Sequence, residues 1–323
     1  MSVNITVVGS ICIDMAIKIP HLPVIGETVS GRELATPVGG KGFNQALQIH
    51  RLGGKVLFFG RLGDDAHGRM ILDELEREDF PLRGLKVYKG EKTAVGLIFV
   101  APDGTNLIAG FSGANMNFSI DDIDQNIYDA LLLSSHLIIQ MEIPNVVNLA
   151  VLKLAKELNT RTVLNVAPYK EISDEILSLV DIFIFNEVEA SGFFNTDVKT
   201  HEDVFTLRES LRYDWRKIYI VTLGAQGAAM IAPEGVHKTD GIKVDSVDST
   251  GAGDSFVGSY VHFIASGEGY LESLDLANIV AAESTTVMGA MPSLPDLKKV
   301  TELMSVRGIK LKTETGIPCD ADE

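Results

Sequence analysis

Residues 248–256 read Asp248-Ser249-Thr250-Gly251-Ala252-Gly253-Asp254-Ser255-Phe256. The small residues at 251–253 allow a tight turn whose backbone N–H groups are free to face an anion. The apolar run 255–265 predicts a buried helix, so these N–H groups lie at the positive end of its dipole. Asp254 then stands where a phosphate would be held, and its carboxylate can take a proton from an attacking hydroxyl. The same residues also fit an ordinary helix start after a glycine loop. Other segments of the chain are therefore needed to distinguish a catalytic turn from a simple helix start.

Composition and charge narrow the function classes. The chain has 323 residues, and its net charge of −16 argues against general affinity for nucleic acid or anionic membranes. An anionic substrate such as ATP therefore has to be received by backbone N–H groups, a metal ion or a few placed cations. The two cysteines, Cys12 and Cys319, do not form a disulfide framework, which favours a reducing, cytoplasmic location. The N-terminus reads as a strand rather than a signal peptide, and no apolar run approaches a membrane span.

Short apolar, β-branched runs alternate with helical patterns along the whole chain. The predicted strands are 5–9, 56–60, 137–140, 162–165, 182–185 and 218–222. The predicted helices, besides 255–265, are 44–52, 70–78, 146–158, 204–213 and 276–287. This alternation is typical of βαβ units and predicts an α/β fold: a doubly wound, mainly parallel sheet with helices on both faces.

Two regions interrupt the alternation. Residues 17–37 are rich in proline and glycine, and residues 95–100 and 106–111 predict two strands around a Pro102-Asp103-Gly104 turn. We expect them to form a small antiparallel β-sheet that projects from the main body. The expected division is a core of residues 1–16, 38–92 and 112–312, a small sheet of residues 17–37 and 93–111, and a frayed acidic tail of residues 313–323.

Two segments in the first half of the chain suit a polar ligand. Residues 38–46 place three glycines before a helix, so the backbone can approach a ligand closely, and Asn44 offers both a donor and an acceptor. The segment is not a Walker A loop, because Lys41 is followed by Gly42 rather than by Ser or Thr. Asp14 lies in an otherwise apolar run, and a partly buried carboxylate needs partners such as sugar hydroxyls. A simple turn explains each segment almost as well.

Three later segments suit a nucleotide and a cation. Residues 186–189 (Asn-Glu-Val-Glu) and 222–227 follow predicted strands, and the carboxyl ends of parallel strands are where doubly wound folds bind ligands. Carboxylates beside a nucleotide usually act through magnesium or its water shell. In the loop 288–293, carbonyl groups and Ser293 could coordinate a hard cation. Taken alone, these segments also fit a solvated helix start, a hairpin turn and an unremarkable loop.

Taken in order, these segments resemble the ribokinase-like (PfkB) family of sugar and nucleoside kinases, from Val3 to about Pro295. The specific matches are Gly39-Gly40-Lys41-Gly42-x-Asn44-Gln45-Ala46 and Asp248-x-Thr250-Gly251-Ala252-Gly253-Asp254-x-Phe256. Shorter matches between them are Gly113-Ala114-Asn115, Gln140-Met141-Glu142, Asn165-x-x-Pro168, Asn186-Glu187-x-Glu189 and Thr222-Leu223-Gly224. The resemblance implies an ATP-dependent kinase that phosphorylates a primary hydroxyl of a small sugar such as ribose.

The resemblance also implies a role for each matching residue. Asp254 would be the catalytic base, and the amides of Gly251, Ala252 and Gly253 the anion hole. The sugar would be bound by Asp14, Gly40, Lys41, Asn44, Glu142 and Asp254. Asn186 and Glu189 would organise phosphate and Mg²⁺, while Thr222, Gly224, Gly227 and Asn278 would lie along ATP. A monovalent cation, usually K⁺, would be held by Asp248, Thr250, Ser284, Val287, Gly289 and Ser293. The small sheet would be a lid over the sugar and the contact of a homodimer.

Two residues depart from the family pattern. Members that phosphorylate ribose carry Asn where this chain has Cys12, which removes a hydrogen-bonding group from the sugar site. Phe43 replaces the small residue usual between Gly42 and Asn44, and we expect it to narrow or reshape that site. Neither change touches the residues expected to transfer the phosphate. Because Asp254 begins a helix, we also expect its pKa to be lowered.

Three other functions compete with the sugar kinase. A nucleoside kinase on the same fold would share the phosphate motifs and differ around Cys12, Phe43 and the small sheet. A dinucleotide-binding oxidoreductase would need a Gly-x-Gly-x-x-Gly turn, but only Gly9 follows the first strand. A sugar sensor without catalysis would not need Asp254 and the glycine turn, and both are present.

Overall fold

The computed structural model describes residues 4–102, 105–210 and 214–309. Parts of three predicted features lie outside these ranges: the turn at 102–104, the predicted helix 204–213 and the core, which was expected to reach residue 312. Cys319 and the whole tail 313–323 also lie outside them.

All of the predicted strands are confirmed, with ends that shift by a few residues. The strands are β1 (Asn4–Val8), β2 (Cys12–Lys18), β3 (Glu33–Ala35), β4 (Val38–Gly39), β5 (Lys55–Gly63), β6 (Leu85–Tyr88), β7 (Ala94–Val100), β8 (Asn106–Phe111), β9 (Ser134–Ile139), β10 (Arg161–Asn165), β11 (Ile182–Asn186), β12 (Ile218–Thr222), β13 (Gly227–Ala232) and β14 (Gly235–Asp240).

The predicted helices are also found, several of them one turn longer at the start. The helices are α1 (Lys41–Arg51), α2 (Ala66–Arg77), α3 (Gly113–Met116), α4 (Gln125–Leu132), α5 (Asn145–Glu157), α6 (Asp174–Leu179), α7 (Glu187–Phe194), α8 (His201–Thr206), α9 (Ala252–Ala265), α10 (Tyr270–Ser284), α11 (Ala290–Ser293) and α12 (Leu297–Val306). The described part of the predicted helix 204–213 is α8 followed by a 3₁₀ turn, Leu207–Glu209.

The main sheet has nine strands in the order β14-β13-β12-β11-β10-β9-β1-β5-β6. The strands from β12 to β6 are parallel, while β13 and β14 are antiparallel to their neighbours. The chain builds outward from β1 to β5 and β6 on one side, and from β9 to β12 on the other. Strands β1 and β9 therefore form the switch point beside which open α/β sheets bind ligands.

Helices cover both faces of the main sheet, because successive strand residues point to opposite sides. Ile138 packs in the cluster that includes residues of α1, α9 and α10, whereas its neighbours Leu137 and Ile139 pack in the cluster with α4, α5 and α7. The predicted three-layer α/β architecture is confirmed. Among the described residues, no helix combines the length and the apolar character that crossing a bilayer requires.

The small sheet differs from the expected one in strand direction and extent. Its order is β3-β2-β7-β8, and β4 also pairs with β2. Strands β2 and β7 are parallel, so the sheet is mixed rather than purely antiparallel. The physical reason is that the chain returns to the main body through β5, α2 and β6 between these two strands. Because β2 begins at Cys12 and β4 ends at Gly39, the small sheet also takes residues that the expected division gave to the core.

Candidate active site

A cavity of about 200 Å³ opens at the carboxyl ends of β10, β11 and β12, beside the start of α9. It is lined by Lys41, Asn165, Ala167, Ile184, Phe185, Asn186, Glu189, Thr222, Ser249, Gly251, Gly253, Asp254 and Val257. This space thus brings together candidates for catalysis and for the nucleotide with two of the sugar candidates, Lys41 and Asp254. The other sugar candidates, Asp14, Gly40, Asn44 and Glu142, do not line it.

Asp254 lies in the first turn of α9 and is only 7% exposed. Two amides of α1 hold its carboxylate: Asn44 Nδ2 donates to Oδ2 at 2.9 Å, and Gln45 Nε2 donates to Oδ1 at 2.9 Å. Both oxygens are thus fixed by hydrogen bonds from the helix that follows the glycine-rich segment. This orientation leaves the carboxylate at the edge of the cavity.

The pKa of Asp254 is shifted in the direction opposite to our expectation. Burial raises it, and the charge of Lys41 and the amides of Asn44 and Gln45 only partly oppose that effect. The expected lowering is wrong because the carboxyl is inside the protein, where the loss of hydration outweighs the field of the helix end. A raised pKa makes the ionised carboxylate a stronger base.

A network of buried amides supports this carboxylate, and sequence analysis gave its members no role. Gln140 Nε2 donates to Gln45 Oε1 at 2.7 Å, and Gln45 Nε2 also donates to Asn165 Oδ1 at 3.0 Å. Asn165 Nδ2 in turn donates to the carbonyl of Ile184 at 3.2 Å. These contacts tie Asp254 to the carboxyl ends of β9, β10 and β11. A usable signal was the presence of amides in otherwise apolar, buried segments, since such groups need partners.

The start of α1 contacts both the turn after β1 and Glu142. The backbone N–H of Lys41 donates to Glu142 Oε2 at 3.2 Å, and Ser10 Oγ donates to the same oxygen. Gly40 has φ +99°, and a Cβ there would be 2.7 Å from Ile11 Cα, so this approach requires glycine. The charge of Asp254, and then that of Glu142, raises the pKa of Lys41 although burial opposes it. Lys41 is therefore a cation within the electrostatic reach of Asp254.

Asn44 offers an unused acceptor at the same place. Its Nδ2 is taken by Asp254, but Oδ1 is buried and has no hydrogen-bond partner among the described residues. Asn44 is 4% exposed, so water cannot freely satisfy that oxygen. A ligand hydroxyl that donates to Asn44 Oδ1 would complete the arrangement.

Asp14 reaches the site from the small sheet and lies between two glycines. A Cβ on Gly39 would be 2.1 Å from Asp14 Oδ2, and one on Gly96 would be 2.5 Å from Asp14 Oδ1. Burial raises the pKa of Asp14, a hydrogen bond from the Cys12 thiol opposes this, and the charges of Glu142 and Asp254 add to it. Asp14 thus faces the same group of charges as Lys41. Glycine at both positions leaves room for this carboxylate.

The two departures from the family pattern have different consequences. Phe43 is fully buried and packs edge-on against Phe58 and Phe80, with ring centroids 6.1 and 5.5 Å away. The expectation that Phe43 reshapes the sugar site is therefore wrong, because consecutive helix residues point in different directions and Phe43 belongs to the core. Cys12 does lie next to the site, and its thiol donates to Asp14 Oδ1 at 3.4 Å.

Some of the candidate phosphate and nucleotide residues line the cavity, and the others lie at the turn after β12 and on α10. Asn186 and Glu189 cap α7 reciprocally: the Glu189 N–H donates to Asn186 Oδ1 and the Asn186 N–H to Glu189 Oε2, each at 2.8 Å. Burial raises the pKa of Glu189. These two residues and Thr222 line the cavity. Gly224 and Gly227 shape the turn after β12, while Asn278 of α10 donates to the carbonyl of Asp240 at 2.9 Å, beside β14.

The candidate anion-hole and cation residues lie at the start of α9 and in the loops facing it. Gly251 and Gly253 line the cavity, whereas the Ala252 N–H donates to the carbonyl of Ser249 at 3.2 Å within the turn. Asp248 joins two loops, since its carboxylate accepts from the N–H groups of Thr250 at 2.9 Å and Gly289 at 2.8 Å. Although burial opposes it, a hydrogen bond from the Thr250 hydroxyl, together with the two backbone bonds, lowers the pKa of Asp248.

Two further cation candidates are buried serines. Ser284 Oγ donates to the carbonyl of Ala281, and Ser293 Oγ to that of Ala290, each at 2.8 Å. Val287, the remaining candidate, is 44% exposed in the loop after α10. The structure thus links Thr250 and Gly289 through Asp248, while Ser284 and Ser293 each bond within their own segment.

Known proteins share both the sequence and the fold. The pfkB family of carbohydrate kinases matches residues 3–297. Ribokinase of Haemophilus influenzae is 32% identical over 306 residues, which cover 94% of this chain and 99% of that protein. The structure of Arabidopsis thaliana ribokinase complexed with ribose and ATP is 31% identical, with a TM-score of 0.83 over 94% of this chain and 99% of that one. A nucleoside kinase of Methanocaldococcus jannaschii shares the fold, with 21% identity and a TM-score of 0.77 over 94% of this chain and 98% of that chain.

Replacing Gln45 with Leu should move the acid limb of the pH–rate profile to higher pH. The substitution removes a donor that stabilises the ionised form of Asp254, so the pKa of Asp254 rises further and the base protonates at higher pH. The measurement is kcat/KM against pH, which reports the free enzyme. Gln48→Leu is the matched control: Gln48 is a buried glutamine of the same helix, but it bonds Pro295 and Ser255. An equal shift in both variants would contradict the role of Gln45.

Replacing Gly96 with Ala should raise the KM for the sugar by roughly tenfold, the worth of about one hydrogen bond to a charged group. The new Cβ would lie 2.5 Å from Asp14 Oδ1 and must displace the carboxylate. Gly110→Ala is the control, because Gly110 is the register partner of Gly96 but a Cβ there meets nothing within 4 Å. Steady-state kinetics should show an unchanged KM for that control. Similar KM values for both variants would refute the placement of Asp14.

Proposed function

The chain belongs to the pfkB family of carbohydrate kinases and is a phosphotransferase with an alcohol group as acceptor; we propose that it uses Asp254 as the base that activates this alcohol. The reaction is the transfer of the γ-phosphate of ATP to a primary hydroxyl of a small sugar such as ribose. The ribokinase relative and the ribokinase complex with ribose and ATP support these substrates. The cysteine content favours the cytoplasm, which cell fractionation can test.

The position of Asp254 is the observation that carries this proposal. Its carboxylate binds Asn44, whose free acceptor suits a sugar hydroxyl, and it also lines the cavity shared with Asn186, Glu189 and Gly251. We infer that this group lies between the acceptor and the phosphates. Phosphoryl transfer requires this arrangement, because the attacking and leaving oxygens must lie nearly in line with the phosphorus.

The chemical step can be written with these residues. The acceptor oxygen attacks the γ-phosphorus, its proton passes to Asp254, and the bond between the γ-phosphorus and the bridging oxygen breaks to release ADP. The N–H groups of Gly251 and Gly253, which line the cavity at the positive end of α9, would balance the charge on the transferred group. Lys41 adds a positive charge beside the base. Asp14, Asn44 and Glu142 hold the other sugar hydroxyls and so orient the reacting one.

Two cations complete the proposal. Mg²⁺ would neutralise the phosphates beside Asn186 and Glu189, where carboxylate and amide oxygens lie at the cavity. K⁺ would be held by the loops that Asp248 joins, with oxygens from Thr250, Ser284, Val287, Gly289 and Ser293. Omission of Mg²⁺ tests the first site, and exchange of K⁺ for a bulky organic cation tests the second. Full activity without either ion would contradict the role proposed for that ion.

Replacing Asp254 with Asn should lower turnover by roughly 10²–10⁴-fold, the usual worth of a general base, while the sugar and ATP still bind. The physical reason is that the amide keeps the size of the side chain but cannot accept the proton. The measurement is kcat in a coupled ADP assay together with calorimetric affinities. Asp245→Asn changes a nearby exposed carboxylate and should leave kcat unchanged. Near-normal kcat in Asp254→Asn would reject the catalytic role.

We further propose a homodimer that forms through the outer face of the small sheet, the face opposite Asp14. Leu34, Leu97, Leu107 and Phe111 lie on this face and are each at least 44% exposed. Contiguous exposed apolar surface of this kind marks an interaction site. A second copy of the sheet would cover these side chains on both partners.

The double substitution Leu107→Asp with Phe111→Asp should convert the dimer into a monomer, because charges would be buried without partners at the contact. Sedimentation velocity gives the masses. Leu132→Asp is the control, since Leu132 is similarly exposed but belongs to α4 on the main body. A monomeric wild-type protein, or a double variant that remains dimeric, would refute this contact.

A further inference from the structure

The last residue of α1, Arg51, is hydrogen-bonded to the segment that contains α11. Its Nη1 donates to the carbonyl of Met291 at 2.7 Å and to that of Leu294 at 2.8 Å. The other edge of the guanidinium, formed by Nε and Nη2, donates to the two carboxylate oxygens of Glu78 at 3.0 and 2.8 Å. The Arg51 side chain is 16% exposed, so these charge-assisted bonds are largely shielded from water. One guanidinium thus fixes both the end of α2 and the turn α11 to α1.

A second side chain of α1 holds the same segment. Gln48 lies three residues before Arg51, on the same side of the helix. Its Nε2 donates to the carbonyl of Pro295 at 3.0 Å. Its Oε1 accepts from Ser255 Oγ of α9 at 2.9 Å, and both of these side chains are fully buried. The last turns of α1 therefore connect the segment 291–295 to the two helices that pack beside it.

The same segment lies directly behind the candidate anion hole. Gly251 has φ +82°, and a Cβ there would be 2.9 Å from Ala290 Cα, so the turn packs on the first residue of α11 with no room for a side chain. Beside this contact, the N–H of Gly289 donates to Asp248 Oδ2 at 2.8 Å. Because interiors are close-packed, a shift of α11 would displace the N–H groups of Gly251 and Gly253, which line the cavity.

The segment depends on such a tie because it has little regular structure of its own. The last four carbonyls of a helix lack partners within it, and α11 has only four residues. Arginine suits this task better than lysine, because a guanidinium presents five N–H donors in a fixed plane whereas an ammonium carries three on a flexible stem. Arg51→Lys therefore keeps the charge and removes the geometry.

We propose that Arg51 is a positioning residue for phosphoryl transfer: by holding α11 against Gly251, it sets the position of the anion-hole N–H groups. The inference rests on the proposed phosphotransfer and extends it to a residue outside the cavity lining. Arg51 acts through α11 and not on the substrates. Helix α1 would then order both halves of the reaction, since its first turn holds Asp254 through Asn44 and Gln45 while its last turn holds the anion hole.

The test compares the wild-type full chain with Arg51→Lys, using D-ribose and ATP. The variant should lower kcat by about tenfold or more, because displaced donors stabilise the charge of the transition state less well. The KM for D-ribose should change by less than about twofold, since the loss is confined to the transition state. Calorimetry should show that ADP with aluminium fluoride, which takes the place of the transferred phosphate, binds more weakly by about the same factor as kcat. Binding of ADP alone should not change.

Arg61→Lys is the matched control. Arg61 is a similarly buried arginine that pairs with Glu91 and Asp122 instead of with α11. Its kcat should stay within about twofold of wild type, even where the loss of a buried pair lowers stability. Circular dichroism establishes that both variants are folded at the assay temperature. If Arg51→Lys does not fold, Gln48→Leu, which removes the bond to Pro295, should give a smaller fall in both kcat and fluoride affinity.

The outcomes separate this inference from the phosphotransfer on which it rests. Wild-type kcat and fluoride affinity in folded Arg51→Lys would overturn the inference and leave the kinase function standing. An equal fall in kcat for Arg61→Lys would also overturn it, because the loss would then reflect weaker packing in general. A wild-type protein that phosphorylates no sugar would remove the proposed function together with the role built on it.

Discussion

A buried carboxylate at the start of α9 is the constraint on which the site depends. Removing a charge from water is costly, and Asp254 is 7% exposed. Two amides of α1 and the charge of Lys41 offset part of that cost. The same contacts hold α1 against α9, so the chemistry of the site and the packing of two core helices rest on one set of interactions. Substitution of any of these groups therefore affects both the pKa of Asp254 and its position.

The two sheets contribute different residues to the site. The main sheet supplies the cavity at the carboxyl ends of its parallel strands, where Asn186, Glu189 and Thr222 lie. The small sheet supplies Asp14, whose carboxylate fits where Gly39 and Gly96 carry no side chain. An acceptor bound between the sheets would touch both and would help to exclude water from the phosphates.

Several errors of sequence analysis have one common origin. The pKa of Asp254 follows from burial, Phe43 points into the core, and β2 pairs in parallel with β7. Each of these depends on which distant segments come into contact, and local residue patterns do not contain that information. The roles of Gln45, Gln140 and Asn165 were missed for the same reason, although amides in apolar segments gave a hint.

The sequence by itself determined the alternation of strands and helices, the two glycine-rich turns before α1 and α9, and the carboxylate at position 254. These features are local, since side-chain periodicity and glycine geometry act within a few residues. Only the tertiary structure decided that Asn44 and Asp254, 210 residues apart, share a hydrogen bond, and that Gly39 and Gly96 leave room for the carboxylate of Asp14. Contacts of this kind depend on strand register and helix packing, which are set by the whole folded chain.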